Sequence, residues 1–373
     1  MPSPQEELDE LASHGLLRTL KPLDSASGPQ VIRDGRPLWN FASNDYLGLA
    51  NDPRLVRAFQ EGLSLFGAGA AASRLITGTL PPHDRFEQQL AAAKRSESAL
   101  LFSSGFATAL GTIPAIVGKG DHIILDKLSH ASLIDGAKLS GATIRVFPHN
   151  NVERLAELLE SIRAKSSRRI LILTESVFSM DGDLCPLREI VSLKDKHDAL
   201  LLLDEAHGFG VLGPTGMGLG EALGLQDHID FHMGTLSKAA GLSGAYITCS
   251  AIWRDLLINR ARSFIYSTAP PPALAHAAST ALDIIVAGTE LRSRLQENIR
   301  LIAPDATTPI IPRVLGDNNS ALNASIRLAE KGFIVPAIRY PTVPRGTARL
   351  RISLSAAHQA DTVRDLGEKL AEL

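Results

Sequence analysis

Between residues 99 and 234 the chain repeats one pattern, a short apolar run and then a connecting stretch, and few folds accommodate it. The runs are Ala99–Phe102, His122–Leu125, Ile144–Phe147, Ile170–Thr174, Leu200–Leu203 and Phe231–Gly234. Each is too short for a buried helix and mostly apolar, as a strand covered on both faces requires. Asp84–Lys94, ahead of the first run, and Val152–Lys165 and Leu187–His197, between later ones, space their apolar residues as amphipathic helices do. Strands alternating with helices predict an α/β domain on a mainly parallel sheet with helices on both faces. In such sheets ligands gather outside the carboxyl ends of the strands.

Those ends hold the chemically useful residues. Ser104 and Gly105 follow one run, His130 comes shortly after another, Glu175–Asp183 follows a third, Asp204 and His207 a fourth, and Thr235 and Lys238 a fifth. Four leucines deliver Asp204 to a buried strand end, where a carboxylate needs a partner. Lys238 lies in TLSKAAGLSG, and its small neighbours leave room for a ligand and favour the neutral amine that condenses with an aldehyde. An anion to keep a ring nitrogen protonated, and an amine to take an aldehyde, are what pyridoxal phosphate demands; its pyridinium is an electron sink for carbanion chemistry. Gly105 at a helix start suits the phosphate, and the His130 imidazole suits the ring face. Taken singly, each residue keeps a plainer reading: a capped helix at Ser104, a capping histidine at 130, a salt bridge at Asp204, a turn at Asp181–Gly182.

Two motifs in this stretch mislead. Asp204–His207 spells DEAH, a helicase signature, but the phosphate loop GxxxxGKS/T that it requires occurs nowhere in the chain. Gly208, Gly210 and Gly213 match the dinucleotide pattern GxGxxG, yet Pro214, Thr215, Gly216 and Gly218 follow, where a helix should open.

At 373 residues the chain has room for two domains. Beyond the proline-rich Tyr266–Pro272 a helical stretch runs to about Arg300, and short strands follow at Thr308–Val314, Gly332–Pro336 and Arg349–Leu354. This predicts an amino-terminal segment over 1–47, a large domain over 48–285 and a smaller α+β domain over 286–373. Arg349, Arg351 and Ser353 alternate with apolar residues, the pattern of a half-buried strand with both arginines on one face. Such a strand either offers a carboxylate clamp or is a solvent-facing edge. Lys plus Arg is 38 and Asp plus Glu is 40, giving −2, so charge supplies no reason to expect nucleic acid or an anionic membrane. The cysteines, Cys185 and Cys249, have no metal-ligand spacing and suit a reducing compartment. The acidic start lacks the regions of a signal peptide, so the expectation is a soluble cytoplasmic protein without a metal.

The order of FASNDYLGLA, SRLITGT, LFSSGFATALG, DKLSHASLIDGAKLSGA, TESVFSMDGDLCPL, LLLDEAHGFGVLGPTGMG, GTLSKAAGLSGAY, IYSTAPPP and PTVPRGTARLRISLSAAH resembles the α-oxoamine synthases. These are pyridoxal phosphate enzymes of fold type I, the aspartate aminotransferase-like group. The resemblance implies a large domain with a mainly parallel seven-stranded sheet and a smaller α+β domain. It implies Lys238 as covalent anchor and proton carrier, Asp204 at the pyridinium, His207 at the ring hydroxyl and His130 on the ring. Gly105, Phe106 and Thr235 would hold the phosphate, with Ser179 nearby. Ser267 and Thr268 would reach the phosphate across the interface of a homodimer. Arg351 would hold the amino-acid carboxylate, with Asn44 as a further substrate contact and Arg18 and Thr342 toward the acyl substrate. The motifs are most similar to the biotin-pathway branch, which joins L-alanine to a pimeloyl thioester of coenzyme A or a carrier protein. A glycine-plus-acetyl-CoA branch is the alternative, and a non-catalytic cofactor-binding protein a remote one. Ala70, Ala71 and Ala72 stand where relatives carry more glycine or serine.

Overall fold

Local punctuation sets where the first elements begin. In the computed structural model, which describes residues 2–373, Ser3 caps helix α1 (Pro4–Ser13) and Glu6 reaches back to the Ser3 amide. Strands β1 (Gln30–Arg33) and β2 (Arg36–Asn40) form a hairpin whose turn, Asp34–Gly35, takes positive φ at both residues. Helices α2 (Pro53–Phe66) and α3 (Pro81–Lys94) each start with proline, which has no amide to leave unsatisfied. Then come β3 (Ser98–Phe102), α4 (Gly105–Ile116), β4 (His122–Asp126), α5 (Ala131–Ser140), β5 (Thr143–Phe147), α6 (Val152–Arg163) and β6 (Ile170–Glu175). The alternation continues with α7 (Leu187–Lys196), β7 (Leu200–Asp204), α8 (Leu219–Leu223), β8 (Phe231–Thr235) and β9 (Ala245–Cys249). Helices α9 (Ala251–Arg260), α10 (Arg262–Ile265), α11 (Pro272–Ala287) and α12 (Thr289–Ile302) follow. The chain ends with β10 (Ile310–Gly316), α13 (Asn318–Glu330), β11 (Phe333–Ile334), β12 (Ala337–Ile338), β13 (Ala348–Ser353) and α14 (Ala360–Ala371).

Two compact units result. The larger comprises Asp52–Ser179 and Asp183–Arg292. Its seven strands run in the order β3-β9-β8-β7-β6-β4-β5, parallel except for β9, which is antiparallel to both neighbours. The six runs read from the sequence become β3 to β8; β9 is not among them. Along β7, Leu201 and Leu203 pack with Ile124, Ile172, Leu155 and Ile190, whereas Leu202 packs with Leu125, Phe231, Ile113 and Leu133. Successive side chains thus enter opposite layers, which is why the run is leucine throughout. Each such burial contributes roughly 1.5–3 kcal/mol.

The smaller unit comprises residues 2–51, Met180–Gly182 and Ser293–Leu373. It holds two three-stranded sheets, β1-β2-β11 and β10-β13-β12. The expected partition differs from this. Residues 1–47 do not stand apart, because β2 pairs in parallel with β11 through Trp39–Phe333 and Asn40–Ile334. A break after residue 285 would cut α11, whose packing on α2 and α3 belongs to the larger unit. The half-buried strand expected at Arg349–Leu354 is also corrected: β13 is the central strand of its sheet and all six of its residues are buried. Among the described residues no helix is long and apolar enough to cross a membrane.

Candidate active site

The carboxyl ends of β3, β4, β6, β7 and β8 open into a cavity of about 190 Å³ within the larger unit. Seven of the residues singled out in the sequence line it: Gly105, Phe106, His130, Asp204, His207, Thr235 and Lys238. Ser132, Glu175 and Gly234 join them. Parallel strands put all their carboxyl ends on one edge, so residues up to 133 positions apart converge.

Each wall has a local cause. Ser104 caps α4, its Oγ accepting the Ala107 amide and its carbonyl the Thr108 amide. That leaves the Gly105 and Phe106 amides as donors the helix does not use, an anion site at a helix start. After β4 the Asp126 carboxylate takes the Leu128 amide at 2.8 Å and turns the chain toward His130, the cap of α5. The His130 ring sits against Ser132 (Nδ1 to Oγ, 2.8 Å), and its amide donates to Glu175 Oε1 at 2.5 Å. Loss of hydration lowers the His130 pKa; the Asp204 carboxylate opposes this and Lys238 reinforces it. Lys238 lies on a loop closed at its base by the Leu236 amide to the Gly244 carbonyl, and its Nζ is 2.8 Å from His207 Nε2. Thr235 Oγ1 contacts the Gly244 carbonyl and Ser237.

Asp204 is 5% exposed and accepts the Ala206 amide at 2.9 Å. Burial raises its pKa, with Lys238 the main opposing influence. A buried carboxylate in this position gains from a second cation, and a protonated pyridine set against it is one. With the unspent amides of α4 and the amine of Lys238, the wall fits pyridoxal phosphate group by group.

Other expected residues lie outside this cavity lining. Ser179 is in the turn after β6, and Ser267 and Thr268 follow α10, where Thr268 bridges Ser73. In the smaller unit Arg351 is 4% exposed and donates to Asn44 Oδ1 at 3.1 Å and Ser353 Oγ at 2.7 Å. Arg349 is instead committed to Asp181 and the Met180 carbonyl. Arg18 reaches Thr342 Oγ1 at 3.4 Å.

Sequence reasoning gave no role to three polar groups here, although it counted Glu175 among the strand-end residues. Glu175 ends ILILTE as Asp204 ends LLLLD, and that parallel was the available signal. Lys94, fully buried, donates to Glu205 and to the Met217 carbonyl. Burial alone would raise Glu205, but Lys94 and His232 hold its pKa down to about 2. Nothing around Lys94 in the chain announces this. His149 is the third, bound to Asp126 at 3.0 Å and Asp183 at 2.7 Å. The glycine-rich loop is now explained without a nucleotide. A Cβ on Gly218 would strike the Glu205 carboxylate, and one on Gly213 that of Glu221.

The model of the class I and II aminotransferases matches residues 36–370. The 8-amino-7-oxononanoate synthase of Anaeromyxobacter dehalogenans (strain 2CP-1) is 48% identical over 367 residues, covering 96% of this chain and 92% of the relative. That of Aromatoleum aromaticum is 46% identical, covering 98% of this chain and 97% of the relative. Among solved structures, a serine palmitoyltransferase with bound pyridoxal phosphate superposes with a TM-score of 0.93 at 31% identity, covering 99% of this chain and 96% of that one. The 8-amino-7-oxononanoate synthase of Francisella tularensis gives 0.78 at 30% identity, covering 90% and 97%. The fold is the type I fold of pyridoxal phosphate enzymes, and pyridoxal phosphate is the cofactor. The chain belongs to the class I and II aminotransferase family and, within it, to the 8-amino-7-oxononanoate synthases.

Proposed function

We propose that the enzyme condenses L-alanine with a pimeloyl thioester, releasing carbon dioxide and the thiol and forming 8-amino-7-oxononanoate for biotin synthesis. The observation that carries this reading is the near full-length identity of 43–48% to curated synthases, on a chain whose cavity keeps Lys238, Asp204, His207 and His130 together. In the reaction the alanine Cα–H bond breaks, a bond forms from Cα to the thioester carbonyl, and the thiol leaves. The Cα–carboxylate bond then breaks, and a proton returns to Cα.

Pyridoxal phosphate supplies the electron sink that makes negative charge at Cα tolerable. Asp204, buried and anionic, keeps the ring nitrogen protonated. Lys238 provides the amine that anchors the cofactor and carries the α-proton, and His207 beside it holds the ring hydroxyl. The α4 amides bind phosphate, with Thr235 and Ser179 in support, and His130 covers the ring. In the smaller unit Arg351 is the candidate for the alanine carboxylate. Its buried guanidinium is fixed by Asn44 and Ser353, so little freedom is lost when it grips an anion. Arg18 and Thr342 are candidates for the acyl substrate.

A homodimer completes this reading, with Ser267 and Thr268 reaching the partner's phosphate. Leu75 and Ile76 are 49% and 77% exposed and Tyr266 is 72% exposed, on segments joined by the Ser73–Thr268 bridge. Large apolar side chains clustered in solvent mark an association surface.

Thiol release by purified holoenzyme tests the substrate assignment. Pimeloyl-CoA is offered with alanine, acetyl-CoA with glycine and palmitoyl-CoA with serine. Alanine with the pimeloyl thioester should dominate; preference for either other pair overturns it.

A further inference from the structure

One cavity residue has no part in the reaction as described. Glu175 ends β6 beside Asp204 at the end of β7, the two paired in register, and it is 3% exposed. Two almost fully buried carboxyl residues therefore stand side by side at adjoining strand ends. Asp204 on β7 repels Glu175, and Asp126 on β4 adds to this. Lys238 on the loop after β8 attracts it, and the His130 amide ahead of α5 donates to it. Burial is the largest influence and raises the Glu175 pKa well above its ordinary value. Like charges so placed share a single negative charge. Asp204 is the member that the ring nitrogen requires as an anion.

We propose that Glu175 is a positioning residue: its carboxyl accepts the His130 amide and so fixes the start of α5, beside the Asp204 carboxylate that serves the ring nitrogen. His130 is tied to the protein here through its own backbone, so Glu175 sets where the imidazole stands without touching substrate. The inference rests on the cofactor site described above and not on which acyl thioester is used.

Two substitutions test it. Glu175→Gln keeps an acceptor oxygen and is always neutral; Glu175→Ala has neither carboxyl nor amide. In each holoenzyme the visible absorbance of the cofactor is titrated against pH, and α-proton exchange of alanine in deuterated water is timed without acyl substrate. Glu175→Ala should slow exchange by roughly tenfold to 100-fold, the cost of a misplaced positioning contact. Glu175→Gln should restore most of that loss and move the absorbance midpoint by less than about 0.5 pH unit, because neutral replaces neutral. A downward shift of about one unit or more in Glu175→Gln would show that an anion had been removed and would overturn the proposal. So would a Glu175→Gln exchange rate as slow as that of Glu175→Ala, or a Glu175→Ala rate equal to wild type. If Glu175→Ala does not fold, the Glu175→Gln midpoint still decides. A wrong acyl partner would leave both readouts unchanged, so the two readings fail separately.

Discussion

Lys238 and Asp204 stand at opposite ends of the same chemical demand, and their substitutions should fail differently. In the proposed reaction Lys238 is both anchor and proton carrier, and Lys238→Ala would remove both. Turnover should fall at least about 10²–10⁴-fold, and the cofactor's visible absorbance should be lost on dialysis. Asp204→Asn keeps the shape but not the charge. Cofactor should still bind, whereas α-proton exchange of alanine, followed by NMR, should slow roughly 10²–10³-fold. Arg351→Lys should raise KM for alanine more than it lowers kcat, because an ammonium does not reproduce the planar fork. The sequence made the first two residues legible, since a carboxylate closing LLLLD and a lysine among small residues are local patterns. Arg351 was legible only in part: alternation put it on a strand face, but β10 and β12 on either side are what bury it.

Elements add constraints that no single residue expresses. The loop from Glu205 to Gly220 is folded around a buried ion pair, Lys94–Glu205, both side chains fully enclosed. Removing one partner strands a charge, so Lys94→Ala should cost about 3–5 kcal/mol in denaturant unfolding. His149 joins the ends of β4 and β5 to the turn after β6 through Asp126 and Asp183. Burial alone would lower its pKa, but the hydrogen bonds to Asp126 and Asp183 raise it to about 10, from 6.5 in an unfolded chain. Between these values the folded state binds the extra proton, so stability falls as pH rises. The contribution is complete below about pH 6.5 and lost through about pH 10. Urea midpoints should decline over that window, and His149→Gln should flatten the decline. The DEAH and GxGxxG strings belong here too. Read as motifs they misled, because their spacing reflects an aspartate at a strand end and glycines that let Glu205 and Glu221 approach.

Across the whole molecule, the exposed Leu75, Ile76 and Tyr266 are the surface on which the proposed dimer rests. Sedimentation should give a species of twice the monomer mass, and Ile76→Glu should shift it toward monomer with loss of cofactor affinity. A wild-type monomer with full activity would sink the dimer reading. The alternation of runs and helices, the carboxyl-edge cluster and Lys238 were all determined by the sequence alone. The reason is physical: a strand buried on two faces must be apolar along its length, and a parallel sheet must put its strand ends together. Tertiary structure alone decided which distant groups meet. It wedged antiparallel β9 between β3 and β8, joined β2 to β11, and set Lys94 against Glu205, 111 residues away. It also placed Glu175 beside Asp204. A local run fixes which of its side chains face the core, but which distant strand lies beside it is decided by how whole faces pack.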